Sequence, residues 1–301
     1  MKRFGNLFIV FILPILFAGT GIELLLRQIP NDYKIKGEYL RRYASNVETL
    51  VLGSSHSMYG INPEYLDASA YNASFVSQTT DLDLAILEKF MPELSNLKTV
   101  IVRLSYATLF ETLSETSANW RLKDYIIYFD LNTKSTVLRH SELFSLKLKT
   151  NLDRLWDYYV LGNSEIQCDS LGWADNSFLQ SPMDLDLASL RAAQRHTISN
   201  DDQYVDNVEA FERMAKLCQD NNINLILVTL PGYLSYRDNL DPLQLQKMLD
   251  FASQIESNYK NTKYYNFLSD PDFSENDFFD GDHLNAQGAK KITDKLNALL
   301  P

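Results

Sequence analysis

Only two cysteines, Cys168 and Cys218, and four histidines occur in 301 residues. So few cysteines exclude a small fold held together by several disulfides, and one bridge or two buried thiols both stay open. The histidines stand at positions 56, 140, 196 and 283, with no His-x-x-x-His and no Cys-x-x-Cys, so no metal set is legible and no cofactor is expected. Basic clusters are also lacking. Lys and Arg number 28 against 39 acidic residues, a net charge of −11, which excludes nucleic acid as an expected partner. There is no internal repeat and no low-complexity tract, and the acidity is spread along the chain as on a solvated surface.

What is present begins with a strongly apolar N-terminus. Lys2 and Arg3 precede the run Phe4 to Leu26, interrupted among polar types by Asn6, Thr20 and Glu23. As a helix this run would reach about 34 Å, enough for a hydrocarbon core of about 30 Å. Positive charge before it predicts a single-pass anchor in a bacterial cytoplasmic membrane, with the rest of the chain outside, in the periplasm. Ala18-Gly19-Thr20-Gly21 is a poor cleavage site, so residues 1–30 are expected to stay attached to a domain spanning 31–301.

Beyond the anchor, Ile29 to Asn46 reads as a polar connector with a short helix over 38–43. Apolar strands are then expected over Val47–Leu52, Ala70–Phe75, Leu97–Leu104, Ile223–Leu230 and Lys263–Phe267. Helical spacing marks 81–94, with Asp81 as its cap, and also 147–160, 205–221, 242–259 and 286–300. Strands alternating with helices mean βαβ units and a parallel sheet covered on both faces. The aromatic-rich tract from about 107 to 205 breaks that rhythm and reads as a large insertion after the third strand. Its histidines, His140 and His196, read as surface residues.

The first strand stops on Gly53-Ser54-Ser55-His56, and parallel sheets present their chemistry at such carboxyl ends. Ser54-Ser55-His56, Asn72-Ala73-Ser74 and Ser105-Tyr106 all fall on that edge. Near the C-terminus, Asp280-Gly281-Asp282-His283-Leu284-Asn285 follows the last strand. A serine hydroxyl needs a base to become a nucleophile, and an Asp three residues before a His can orient that base from one tight loop. Asp282 competes for this role, and the offset favours Asp280. A lone Gly-Ser-Ser is more often a turn; the distant Asp/His pair is what raises it to a candidate nucleophile.

Leu52-Gly53-Ser54-Ser55 near the start, with Asp280-x-x-His283-Leu284-Asn285-x-x-Gly288 near the end, resembles the SGNH/GDSL hydrolase superfamily. Within it, the membrane-anchored, DltD-like envelope proteins are the most similar type. The resemblance runs from about Val47 onward and implies a flavodoxin-like, three-layer α/β/α sandwich. It also implies Ser55 as nucleophile, His283 as base and Asp280 as its orienter. The family's glycine after the second strand and Gly-x-Asn-Asp after the third are replaced here by Asn72-Ala73-Ser74 and Arg103-Leu104-Ser105-Tyr106. Oxyanion donors are therefore expected from the Ser55 N–H, from Ala73 or Ser74 N–H and from the Asn72 side chain, with His56 and Ser105 lining the substrate. The resemblance implies an esterase or O-acyltransferase acting on acyl groups, such as acetyl, of a cell-envelope glycan. The alternatives are a non-catalytic glycan-binding protein of the same fold and an accessory to a membrane-bound acyltransferase.

Overall fold

The apolar runs become five short strands, β1 Thr49–Leu52, β2 Ala70–Asn72, β3 Thr99–Arg103, β4 Asn224–Thr229 and β5 Thr262–Asn266. The fold comes from a computed structural model that describes residues 2–133, 137–179, 184–198 and 200–300, the side chains of 2–9, 137 and 178 excepted. Parts of the expected insertion (134–136, 180–183 and 199) lie outside the described residues. By its contacts the chain divides into two compact units, one of residues 1–37 with 117–166 and one of 38–116 with 167–301. The insertion is thus shared between them.

In the larger unit all strand pairs are parallel and the order is β2-β1-β3-β4-β5. This is the doubly wound, flavodoxin-like order, whose ligand crevice opens beyond the carboxyl ends where the order reverses, between β1 and β3. Residues of β1 and β3 are buried on both faces, which accounts for their unbroken apolar runs. Val51, Ile101, Ile226 and Val228 share a cluster with Ile292 and Leu296 of the last helix, Ala286–Asn297. Tyr204–Asp220 packs against both Thr80–Phe90 and Pro242–Asn258, with Phe211 against Phe251 at 5.6 Å between ring centres. The expected α/β sandwich is the observed one. The cap of the 80–90 helix is Thr79 rather than Asp81; Asp81 sits in the first turn, where its charge complements the helix dipole. Cys168 and Cys218 are both free and buried, so the open question of a bridge resolves to two thiols.

The smaller unit is helical. Lys2–Gln28 is one helix, and its stretch Val10–Gln28, with a mean hydropathy of 1.8 and mostly exposed, is long and apolar enough to cross a membrane. The helix expected over 38–43 is observed and starts earlier, as Asp32–Tyr43, taking up most of the stretch read as a polar connector. The unit's centre is ionic: Lys123 lies 2.5 Å from Asp124 and 2.9 Å from Glu142, and Arg154 joins Glu142 at 2.8 Å to Glu165 at 2.8 Å. Such a network is costly to desolvate, and each member depends on the others staying paired.

Candidate active site

β1 is followed at once by Gly53, whose φ of +126° only glycine adopts without strain. A Cβ there would also meet Ser57 Oγ at 2.6 Å and Arg103 Cβ at 3.0 Å. The chain turns at once into the helix Ser55–Gly60, with Ser54 as its N-cap. Ser55 is thus the first helical residue, at the carboxyl edge of the sheet and half-buried. First-turn N–H groups have no acceptor within their helix, so the Ser55 N–H is placed as a donor at that edge.

The second half of the site is a tight loop closed by an antiparallel bridge between Phe278 and Leu284. Asp280 Oδ1 accepts from the backbone N–H of Asp282 at 3.1 Å and of His283 at 2.8 Å, which fixes its carboxylate. Both its oxygens then lie 3.0 Å from His283 Nδ1. On the other side of the ring, Nε2 is 2.8 Å from Ser55 Oγ. A proton on Nδ1, held by the carboxylate, leaves the Nε2 lone pair facing the hydroxyl. Asn285 caps the next helix through Gly288 N–H at 3.0 Å, which makes it structural. Burial would lower the His283 pKa, but the charge of Asp282 and the hydrogen bond and charge of Asp280 outweigh it and raise it above the usual value.

His56 stands beside this chain, its ring 4.7 Å from that of His283. Arg103, the last residue of β3, donates to His56 Nδ1 at 3.0 Å, and Ser54 Oγ is 3.1 Å from the same nitrogen. His56 Nε2 faces Asp282 Oδ2 at 3.3 Å, off the line of a well-aligned hydrogen bond. Burial, helped by Arg103 and His283, pulls the His56 pKa down to about 3. The same Asp282 lies 3.6 Å from His283 Nδ1, further than Asp280. Burial would raise its pKa, yet the neighbouring histidines hold it well below the usual carboxylate range.

Asn72, Ala73 and Ser74, expected as oxyanion donors, have other partners. The Asn72 amide donates to Ser57 O at 2.9 Å and Ile61 O at 2.8 Å, tying the Ser55–Gly60 helix to β2. Ala73 N–H extends the sheet to Val51 O at 2.8 Å, and Ser74 N–H donates to Asn72 Oδ1 at 3.0 Å. These donors correct the expectation: a buried side chain that ends a strand serves the backbone around it first. Ser105 Oγ shares a hydrogen bond with Thr108 Oγ1 at 2.8 Å, and among the described residues it has no bond to Ser55 or His283.

His196 corrects a second expectation. Far from being on the surface, it lies 3.7 Å from Asp282 Oδ2 through Nε2 and 2.9 Å from the Tyr236 hydroxyl through Nδ1. Burial lowers its pKa to about 4. The helix that carries it, Leu185–His196, seats directly on the loop: a Cβ at Gly281 would meet Ser189 Cα at 2.3 Å. No sequence pattern announces this approach, and Arg103 stood out only within Arg103-Leu104-Ser105-Tyr106, the segment that replaces the family's third-strand motif. His140, in the smaller unit, is exposed as expected.

His56, Asp282 and His283 hold ligand atoms within 4.8 Å of one another, a spacing a metal ion would accept. Their partners suit a proton network better. His283 is engaged through both nitrogens, and the buried Arg103 guanidinium takes the remaining lone pair of His56.

No family model matches the chain, and no curated protein does. Twenty-four solved chains are similar in structure. One is a GDSL-like lipase from Bacteroides thetaiotaomicron, 12% identical, with 89% of this chain and 98% of that one covered and a TM-score of 0.42. Another is TesA, also 12% identical, with 83% and 95% covered and a TM-score of 0.42. At such values the likeness says nothing of substrate or reaction.

Proposed function

We propose that the protein is a membrane-anchored serine esterase or O-acyltransferase of the SGNH/GDSL type. One observation carries this reading: the unbroken chain Ser55 Oγ, His283 Nε2, His283 Nδ1 and Asp280, at 2.8 and 3.0 Å. Ser55 attacks an acyl carbonyl as His283 takes its proton, and Asp280 stabilises the imidazolium. His283 returns the proton to the leaving alcohol. It then activates water for hydrolysis or a sugar hydroxyl for transfer, through the same acyl-enzyme. The developing oxyanion is met by the Ser55 N–H. With Asn72, Ala73 and Ser74 engaged elsewhere, loss of a further donor lowers the rate by about 10²–10³-fold relative to a fully equipped site. The anchor and the sequence resemblance support an extracytoplasmic envelope glycan as the bearer of the acyl group, at the outer face of a bacterial cytoplasmic membrane.

The test is turnover of p-nitrophenyl acetate by the wild type, Ser55→Ala and His283→Ala. The expected result is a loss of at least about 10³-fold in both variants; equal turnover by all three ends the catalytic reading. The occupied oxyanion donors favour one other reading, a binding protein that keeps the fold without the reaction and serves a glycan or a membrane-bound acyltransferase in the same membrane. A fluorophosphonate probe that fails to label Ser55 while polysaccharide still binds would select it.

A further inference from the structure

The helix Leu148–Tyr159 in the smaller unit has three faces. Asn151 and Arg154 turn inward: the Asn151 amide donates to Glu142 O at 3.2 Å and Leu143 O at 3.1 Å, and Arg154 holds Glu142 and Glu165. Lys149, Thr150, Asp153 and Asp157 form an exposed polar face. The third face holds Leu148, Leu152, Leu155, Trp156 and Tyr159, which fall within an arc of about 100° at helical spacing. It too is open: Leu148 is 57% and Trp156 59% exposed. Exposed Val160 and Leu161 continue it, and Phe144 lies exposed just before the helix. Folding has fixed this helix through Asn151 and Arg154 and left Leu148, Leu152, Trp156 and Tyr159 exposed.

What lies beside it is the end of the apolar N-terminal helix. The Glu23 carboxylate accepts from Ser141 Oγ at 2.7 Å and from the N–H groups of Glu142 at 3.2 Å and Leu143 at 2.9 Å. Arg27 donates to His140 O at 2.6 Å, and the Tyr159 hydroxyl donates to Leu25 O at 3.0 Å. Leu143 packs over Gly19, where a Cβ would meet its Cδ2 at 3.8 Å. A hydrocarbon core of about 30 Å takes up roughly 20 residues of helix, so a span entered at Phe4 leaves it near Glu23. These contacts then run from about 6 Å inside that boundary, at Gly19, to about 6 Å outside it, at Arg27. Amphipathic helices that lie in a membrane surface sit about 5–10 Å into the boundary between headgroups and acyl chains.

We propose that residues 138–161 form a second membrane element, with the Leu148–Tyr159 helix lying in the outer lipid interface on its Leu148, Leu152 and Trp156 face. The occupant of that face is the bilayer. Trp156 and Tyr159 suit this depth, with apolar rings and a polar tip toward the headgroups. The inference rests on Lys2–Gln28 being a membrane anchor, and adds that the chain is held by two elements.

The experiment uses the full chain in vesicles of phosphatidylethanolamine and phosphatidylglycerol, with the lipid brominated either near the glycerol end or near the chain terminus. Tryptophan quenching is compared between the wild type and Trp156→Phe. The expected result is stronger quenching by the shallow bromines, with at least half of it lost in Trp156→Phe. Quenching of Trp156 by aqueous acrylamide but not by lipid, in a chain that resists carbonate extraction, overturns the proposal and leaves the anchor standing. Shielding from both quenchers in native membranes assigns the face to a protein partner and also overturns it. Release of the chain by carbonate overturns the anchor itself, and this inference with it.

Discussion

Two histidine–aspartate pairs sit side by side at the carboxyl edge of the sheet, and they are wired in opposite senses. His283 turns Nδ1 to Asp280 and leaves its Nε2 lone pair for Ser55. His56 turns Nε2 to Asp282, and its Nδ1 lone pair is taken by Arg103, with Ser54 at the same nitrogen. Each arm therefore holds a serine, a histidine and an aspartate. Only the His283 arm keeps a lone pair aimed at a hydroxyl without a cation in front of it. The titration directions agree, with His283 raised and His56 lowered to about 3. Adjacent Ser-His-Asp contacts are thus a poor guide to catalysis until the occupancy of each ring nitrogen is known.

The comparison breaks most sharply at the serines. Ser55→Ala should reduce ester turnover by at least about 10³-fold, whereas Ser54→Ala, which removes a helix cap and a neighbour of His56, should cost no more than about tenfold through local loosening. Comparable losses would mean that the two arms share the chemistry. The aspartates come next. Asp280→Asn should lower kcat by about 10²–10⁴-fold, since it upsets the tautomer of the base.

Asp282→Asn should act mainly on pH dependence. The Asp282 charge raises the His283 pKa, and catalysis needs that ring neutral, so its loss should move the acidic limb of kcat/KM to lower pH. An unmoved limb would show that Asp280 alone sets the base. Third, Arg103→Met should raise the His56 pKa from about 3, because the guanidinium lowers it; imidazole NMR titration reads this directly.

The smallest effect is on stability. His56 and His196 have lowered folded-state values, so the stability they contribute is present above about pH 6.5 and is lost as pH falls toward 3–4. His283, raised, contributes in the opposite sense: its stability is present below about 6.5 and is lost as pH rises through its folded value. His56→Gln should therefore flatten the acid limb of Tm against pH without changing the alkaline one.

The strands and main helices were legible from apolar periodicity, to within a residue at Asn224–Thr229 and Pro242–Asn258, whereas the expected strand over 70–75 and helix over 81–94 ran three and four residues past their observed ends at Asn72 and Phe90. Asp280 and His283 were legible as a pair because three residues of one loop suffice to bring a carboxylate to an imidazole. The donors were not. Asn72 looked like a spare amide, and only the packing of the Ser55–Gly60 helix against β2 showed both its protons committed. His196 gave no local sign, because what matters about it is the approach of the helix Leu185–His196 to Gly281.

By itself, the sequence determined which residues would stand at the ends of strands and on the tight loop, since alternation, periodicity and capping act over a few neighbouring positions. Only the tertiary structure decided that Ser55 meets His283 across 228 positions, and that Arg103 closes His56 to the same use. The reason is geometric: a hydrogen bond is made or lost over tenths of an ångström, and elements distant in the chain reach that precision only by packing against one another.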